Sequence, residues 1–218
     1  RTGWDCYRRF IDMFGDVVMG PTTGLEHHDF EVAMTELKKK YGAKEDTDLS
    51  AEQLKELCEV YKKVYQKKVK KPFPQDPLEQ LLASVNAVFG SWNSERAEKY
   101  RTINKVTGLL GTAVNVCTMV FGNMGDESGT GVAFTRDGST GDEEPMGEYL
   151  INAQGEDVVA GIRTPKHLNE MPREKSPVWK KAHAQLRTIM KKLEEHYKYP
   201  QDVEFTVEQG TLWMLQTR

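Results

Sequence analysis

Apolar residues at Trp4, Tyr7, Phe10, Ile11 and Phe14 recur at the spacing of one helix face, so the chain opens on an amphipathic helix. The stretch GPTTG at 20–24 breaks that pattern. A second helix is expected over 29–41, with Phe30, Val32, Ala33 and Leu37 inward. Ser50 followed by Gln53 reads as a capping box, in which each side chain takes a backbone N–H of the first turn. It opens a third helix carrying Leu54, Leu57, Val60, Tyr61, Val64 and Tyr65. KPFPQDP at 71–77 is a connector, because proline cannot continue a helix. Asp76 as N-cap and Pro77 at the first helical position then start another helix through Leu81, Leu82, Val85, Val88 and Phe89.

Beyond SWNSERAEKYR the period shortens. GTAVNVCTMVFG at 111–122 alternates and is rich in strand formers, as are GVAFTR at 131–136 and EYLIN at 148–152. A long amphipathic helix over 177–197 precedes a final hairpin. The pattern therefore predicts an α+β chain: a small helical subdomain at 1–76, then an α+β subdomain with an antiparallel sheet at 77–218. No internal repeat or low-complexity tract interrupts it.

Composition changes this picture little. Hydrophobic residues make up 38% and charged ones 29%, with a net charge of −3, so bulk charge does not point to nucleic acid. The lysines at 62, 63, 67, 68, 70 and 71 read as a solvated helix face. Cys6, Cys58 and Cys117 lie far apart, which fits a reducing compartment without a disulfide framework. Neither CxxC nor paired-His spacing suggests a metal cage, and no run approaches the ~20 apolar residues of a membrane span. Arg1 in place of Met, and an end inside strand-like sequence, are expected of a piece of a longer chain.

The closing stretch, DVEFTVEQGTLWMLQTR at 202–218, carries the candidate chemistry. Alternation puts Asp202, Glu204 and Thr206 on one face and Val203, Phe205 and Val207 on the other. The turn decides what they meet. A two-residue loop, Gln209-Gly210, pairs Glu208 with Thr211, sets Glu204 opposite Leu215 and sends Gln216 to the wrong face. A three-residue loop, Glu208-Gln209-Gly210, pairs Val207 with Thr211 and sets Asp202 opposite Gln216. Glu204 is then a diagonal neighbour at about 7–8 Å, with Arg218 just beyond. That register gathers two carboxylates, an amide and a guanidinium. Carboxylates and an amide oxygen suit Mg²⁺ shared with phosphates, and a guanidinium suits bidentate phosphate contact. A solvated face with a cross-strand ion pair is the other reading of the same residues.

MVFGNMGDESGTGVAFTR at 119–136 places Gly122, Gly125, Gly129 and Gly131 between two strands. Such glycines either bring backbone N–H groups to a phosphate or serve a mobile hairpin loop. The stretch lacks Gly-Lys-Ser/Thr and is not a P-loop. The strand ending in Cys117, Thr118, Met119 and Val120 offers backbone groups to a purine edge. In AQGEDVVAGIRTP at 153–165, Gly155 and Gly161 suit turns, and Glu156 and Asp157 suit caps or a solvated surface beside Arg163. No nucleophile–base arrangement stands out among the histidines.

Three long stretches, GTAVNVCTMVFGNMGDESGTGVAFTRDGSTG, GEYLINAQGEDVVAGIRTP and DVEFTVEQGTLWMLQTR, resemble the pyruvate, phosphate dikinase family, as does WDCYRRFIDMFGDVVMG near the start. The likeness runs in order over nearly the whole chain. AQGEDVVAGIRTP separates it from the related phosphoenolpyruvate synthases. The resemblance implies an ATP-grasp-type nucleotide-binding subdomain belonging to an enzyme that makes phosphoenolpyruvate, AMP and pyrophosphate from pyruvate, ATP and phosphate, or runs in reverse. It implies that Asp202, Glu204, Gln216 and Arg218 contact ATP phosphates, that Glu204 and Gln216 hold Mg²⁺, and that Arg218 acts on the transferring group. The adenine hinge falls on Cys117, Thr118, Met119 and Val120.

The implied partners are ATP, a first ATP-grasp subdomain and a phosphohistidine domain, in a homo-oligomeric parent with no nucleic-acid or membrane partner. Neither implied domain has a counterpart in these residues. The isolated span is therefore expected to be inactive. Its expected location is cytoplasmic, with any plastid or glycosomal address outside it. Asp137-Gly138 stands where the family has Asn-Pro, which predicts a looser turn. Two other readings are an ATP-grasp phosphotransferase of the phosphoenolpyruvate synthase type and a non-catalytic interaction module.

Overall fold

The computed structural model describes residues 1–159 and 163–218. It contains two compact units, Arg1–Val116 and Cys117–Arg218, so the helix starting at Pro77 groups with the helices before it. In the first unit α1 (Thr2–Met13) widens into a π-helical turn at Phe14–Met19 and ends in one more α-turn, α2 (Gly20–Thr23). The break expected within 20–24 falls at its last residue, Gly24, whose φ of 66° closes the helix in the left-handed region. Next come α3 (His27–Tyr41), α4 (Ala51–Val69), α5 (Pro77–Ser91) and α6 (Glu95–Ile103).

The capping signals act as expected. Ser50 Oγ accepts the Gln53 N–H, Gln53 Oε1 accepts the Ser50 N–H, and Asp76 Oδ1 accepts the Leu78 N–H. Ile11, Leu25, Phe30, Leu54, Leu57 and Tyr61 make the core of this unit. The proline-rich connector is anchored by Phe73, which meets Tyr7, Phe10, Phe14 and Tyr65 edge-on. Helix α6 begins within the SWNSERAEKYR stretch, to which the sequence reading assigns no element, and its N-cap is Ser94, whose Oγ accepts the Ala97 N–H.

The strand expected over 111–122 does not form. Residues 111–121 carry no regular structure and most are exposed. Strand propensity supplies the side-chain pattern, but a strand also needs a neighbour for its backbone groups, and among the described residues none pairs with this segment.

The second unit is an antiparallel sheet of order β3-β2-β1-β4-β5, with β1 (Gly129–Phe134), β2 (Met146–Ile151), β3 (Lys166–His167), β4 (Asp202–Glu208) and β5 (Thr211–Thr217). A short helix, α7 (Gly155–Val159), follows β2. Helix α8 (Pro177–Tyr197) covers one face of the sheet. Its Trp179, Leu186 and Met190 pack with Val203, Phe205 and Val207 of β4, and with Ala133 and Tyr149. The alternation of β4 therefore sends Asp202, Glu204 and Glu208 to the opposite face. The turn at Asp137 is tight, not loose: its Oδ1 accepts the N–H groups of Ser139 and Thr140.

Candidate functional site

The end of the β4–β5 hairpin gathers the predicted side chains by a route the sequence reading does not anticipate. The loop has two residues, since Glu208 pairs with Thr211 and Val207 with Leu212. Gln209 and Gly210 both take positive φ, 45° and 82°, as a tight hairpin turn requires. On a regular ladder this would set Glu204 against Leu215. A β-bulge intervenes: Phe205 pairs with Met214, yet Glu204 pairs with Gln216, leaving Leu215 as the extra residue. The three-residue loop is thus replaced by a shorter loop and a bulge. The partner of Asp202 changes as well, to Arg218, through a reciprocal pair of backbone hydrogen bonds at 2.9 and 2.8 Å.

Arg218 closes the cluster. Its Nη2 donates to Glu204 Oε1 at 3.1 Å and to Gln216 Oε1 at 3.3 Å. All three side chains are partly or largely open to solvent. Phe134 and Met146, each 42% exposed, occupy the adjoining register positions, Phe134 opposite both Asp202 and Met146. At the same end Arg136 Nε donates to Glu194 Oε1 at 2.7 Å. Hydrogen bonds from Thr135 and Arg136 hold the Glu194 carboxyl below the usual glutamate value.

Among the described residues no group of three His, Cys, Asp or Glu is arranged to hold a metal by itself. Glu204, Gln216 and Asp202 offer two carboxylates and an amide on neighbouring register positions. Such oxygens are of the kind a hard cation takes as ligands.

Cys117, Thr118, Met119 and Val120 lie at the start of the second unit in a segment without regular structure, all but Val120 exposed. The segment is tied to the hairpin's turn: the Phe121 N–H donates to Glu208 Oε1 at 2.8 Å. Glu208 lies four residue steps along the strand from Glu204, about 13 Å at the usual rise. The sequence reading leaves Glu208 in the loop. Extending the alternation of Asp202 and Glu204 by two further steps is the signal that marks it.

The glycine-rich stretch is pinned. Gly122 O accepts the Ala153 N–H, Asn152 Oδ1 accepts the Gly125 N–H, Asp126 O accepts from Trp179 Nε1, and Glu127 O accepts the Gly210 N–H. These bonds fix the stretch to the residues that follow β2, to α8 and to the hairpin. Arg163 donates to the carbonyls of Ile151 and Asn152. Gly161 lies outside the described residues.

The family described as "Pyruvate phosphate dikinase, AMP/ATP-binding domain" matches residues 47–176 and 166–218. Over all 218 residues the chain is 55% identical to pyruvate, phosphate dikinase 1, chloroplastic, of Arabidopsis thaliana, and covers 22% of that protein. It is 54% identical to pyruvate, phosphate dikinase 2 of Zea mays, covering 24%. Against the pyruvate, phosphate dikinase 1, chloroplastic, of Oryza sativa the values are 55% and 22%. The chain spans less than a quarter of the length of these relatives. Among the described residues no helix is long and apolar enough to cross a membrane.

Proposed function

The chain belongs to the pyruvate phosphate dikinase AMP/ATP-binding domain family, and on that premise we propose that its hairpin cluster holds the phosphates of ATP for transfer of a phosphoryl group to a histidine outside these residues. The enzyme carrying it converts ATP, pyruvate and phosphate to AMP, phosphoenolpyruvate and pyrophosphate. The convergence of Arg218 on Glu204 and Gln216 carries this reading.

Glu204 and Gln216, with Asp202 beside them, are the residues that would hold Mg²⁺, which would supply positive charge to offset that of the phosphates. Arg218 neutralises charge building on the transferring group. To do so it exchanges its present acceptors for phosphate oxygens, which suit the planar guanidinium better than a lone carboxylate oxygen does. Cys117, Thr118, Met119 and Val120 present backbone groups to the adenine. The chain's own contribution is positioning and charge; bond-making falls to the attacking histidine. By itself the 218-residue span is expected to be inactive, since that histidine is elsewhere.

The test is Glu204→Ala in a full-length dikinase carrying this sequence. The adenylate partial reaction, in which ATP and phosphate give AMP, pyrophosphate and a phosphorylated enzyme, is expected to fall on the order of 10²–10³-fold. Wild-type rates would overturn the assignment. Phosphate dependence of AMP formation separates a dikinase from a phosphotransferase of the phosphoenolpyruvate synthase type.

A further inference from the structure

Glu208 sits where two parts of the proposed site join. It closes the β4–β5 ladder opposite Thr211, and it shares a strand face with Asp202 and Glu204. Its Oε1 accepts the N–H of Phe121 at 2.8 Å, a contact bridging 87 residues of sequence. The neighbouring residue is fixed independently, because Gly122 O accepts the Ala153 N–H, and a Cβ at Gly122 would stand 2.2 Å from Ala153 O. The backbone is therefore clamped at 121–122, and residues 117–120 run from the clamp as a strip whose first three residues are exposed. Among the described residues no strand pairs with that strip, so its anchored end sets its direction.

We propose that Glu208 is a positioning residue for base recognition: its carboxylate aims the backbone of Cys117, Thr118, Met119 and Val120 so that a purine nucleotide laid along β4 meets them with its base while its phosphates reach Glu204 and Arg218. This rests on the nucleotide-site reading above. Backbone recognition of a base edge depends on where the peptide groups point. Loss of the anchor is therefore read as weaker and less selective purine binding, not as slower chemistry. Glu208 touches no reacting atom, and about 13 Å of strand separates it from Glu204.

The experiment compares Glu208→Ala, Glu208→Gln and Glu208→Asp in a full-length dikinase carrying this sequence, with ATP and GTP as probes. Glu208→Ala is expected to raise the KM for ATP about tenfold, the worth of one lost hydrogen bond. It should narrow the preference for ATP over GTP and leave kcat within about twofold. Glu208→Gln keeps an acceptor oxygen at the same reach and should restore both values. Glu208→Asp keeps the charge but withdraws it by one methylene, so it should behave like the alanine variant, and it carries the test if alanine does not fold. Unchanged KM and selectivity in a folded Glu208→Ala or Glu208→Asp variant overturns the proposal, as does a fall in kcat at constant KM. Glu204→Ala, run alongside, keeps the two readings apart. If Glu204→Ala abolishes the partial reaction while the Glu208 variants match wild type, only the positioning role fails. If Glu204→Ala also matches wild type, the site itself is misplaced.

Discussion

Arg218 Nη2 stands 3.1 Å from Glu204 Oε1, across a hairpin whose ladder skips Leu215 to bring the two together. An exposed pair of this kind contributes little to stability, roughly 0–1 kcal/mol. Its geometry matters more than its energy. The same nitrogen also reaches Gln216 Oε1 at 3.3 Å, so one planar group spans both oxygens. A lysine ammonium at position 218 would keep the charge and lose the fork. Arg218→Lys in a full-length dikinase carrying this sequence is expected to slow the adenylate partial reaction on the order of 10²-fold. Arg218→Ala should lose no more than about tenfold beyond that, since shape as well as charge is being used. Single-turnover measurement of AMP release reads both; a lysine variant within about twofold of wild type would assign Arg218 a purely coulombic part.

The amphipathic helices were legible because their signals are local. The period of 4–14, the Ser50–Gln53 box and the Asp76-Pro77 start each involve residues within a few positions of one another. The extent of α8, Pro177–Tyr197, follows from the same period. What failed was long-range. The segment 111–121 has strand composition but no strand beside it, a fact no local pattern carries. The hairpin was half legible. Its polar set was visible in the alternation, but the bulge at Leu215 answers to cross-strand packing, and Leu215 differs from no other apolar strand residue in sequence.

The glycines of 122–131 read as phosphate-binding candidates, and the packing gives Gly131 a different duty. It stands opposite Tyr149 and Phe205, and a Cβ there would lie 2.5 Å from Glu148 O and 2.7 Å from the Phe205 ring. The first neighbour is backbone within the ladder and cannot move aside cheaply. Gly131→Ala is expected to destabilise the chain by about 1–3 kcal/mol in denaturant unfolding. Gly138→Ala, where a Cβ meets nothing within 4 Å, is the control and should be close to neutral. Equal effects at the two positions would refute the packing account.

Trp179 couples α8 to the pinned glycine-rich stretch. It is 1% exposed, its ring lies 5.5 Å from that of Tyr149, and its Nε1 donates to Asp126 O at 2.9 Å. Trp179→Phe preserves an aromatic ring but leaves that carbonyl without its indole donor and opens a void beside Tyr149. A loss of about 2–3 kcal/mol is expected from the two effects together. Amide hydrogen exchange adds a local readout: protection at the Gly210 N–H, which donates to Glu127 O, should drop more than protection within α4. Uniform change across both would mean that Trp179 contributes volume alone.

His27 gives the helical unit a pH dependence of definite sign. Burial pulls the imidazole pKa down, but the hydrogen bond and charge of Asp12, with the charges of Glu31 and Asp16, outweigh it and hold the value above the ordinary 6.5. Nδ1 lies 2.9 Å from Asp12 Oδ1 and Nε2 lies 3.6 Å from Glu31 Oε1, so the charged ring bridges α1 and the first turns of α3. Nearby, His28 also meets Glu31, and Lys68 meets Asp29; neither contacts the His27 ring. A folded-state pKa raised above the unfolded one favours folding fully below the unfolded value, and the benefit fades as pH rises through the folded value. The ring is 60% exposed, so the effect is small and screened by salt. Thermal midpoints of the wild-type chain and His27→Gln should therefore differ most near about pH 5.5, in favour of the histidine, and converge near about pH 8.5. A difference that is constant between those values, or that grows on the alkaline side, would show that the Asp12 contact is not what raises the imidazole.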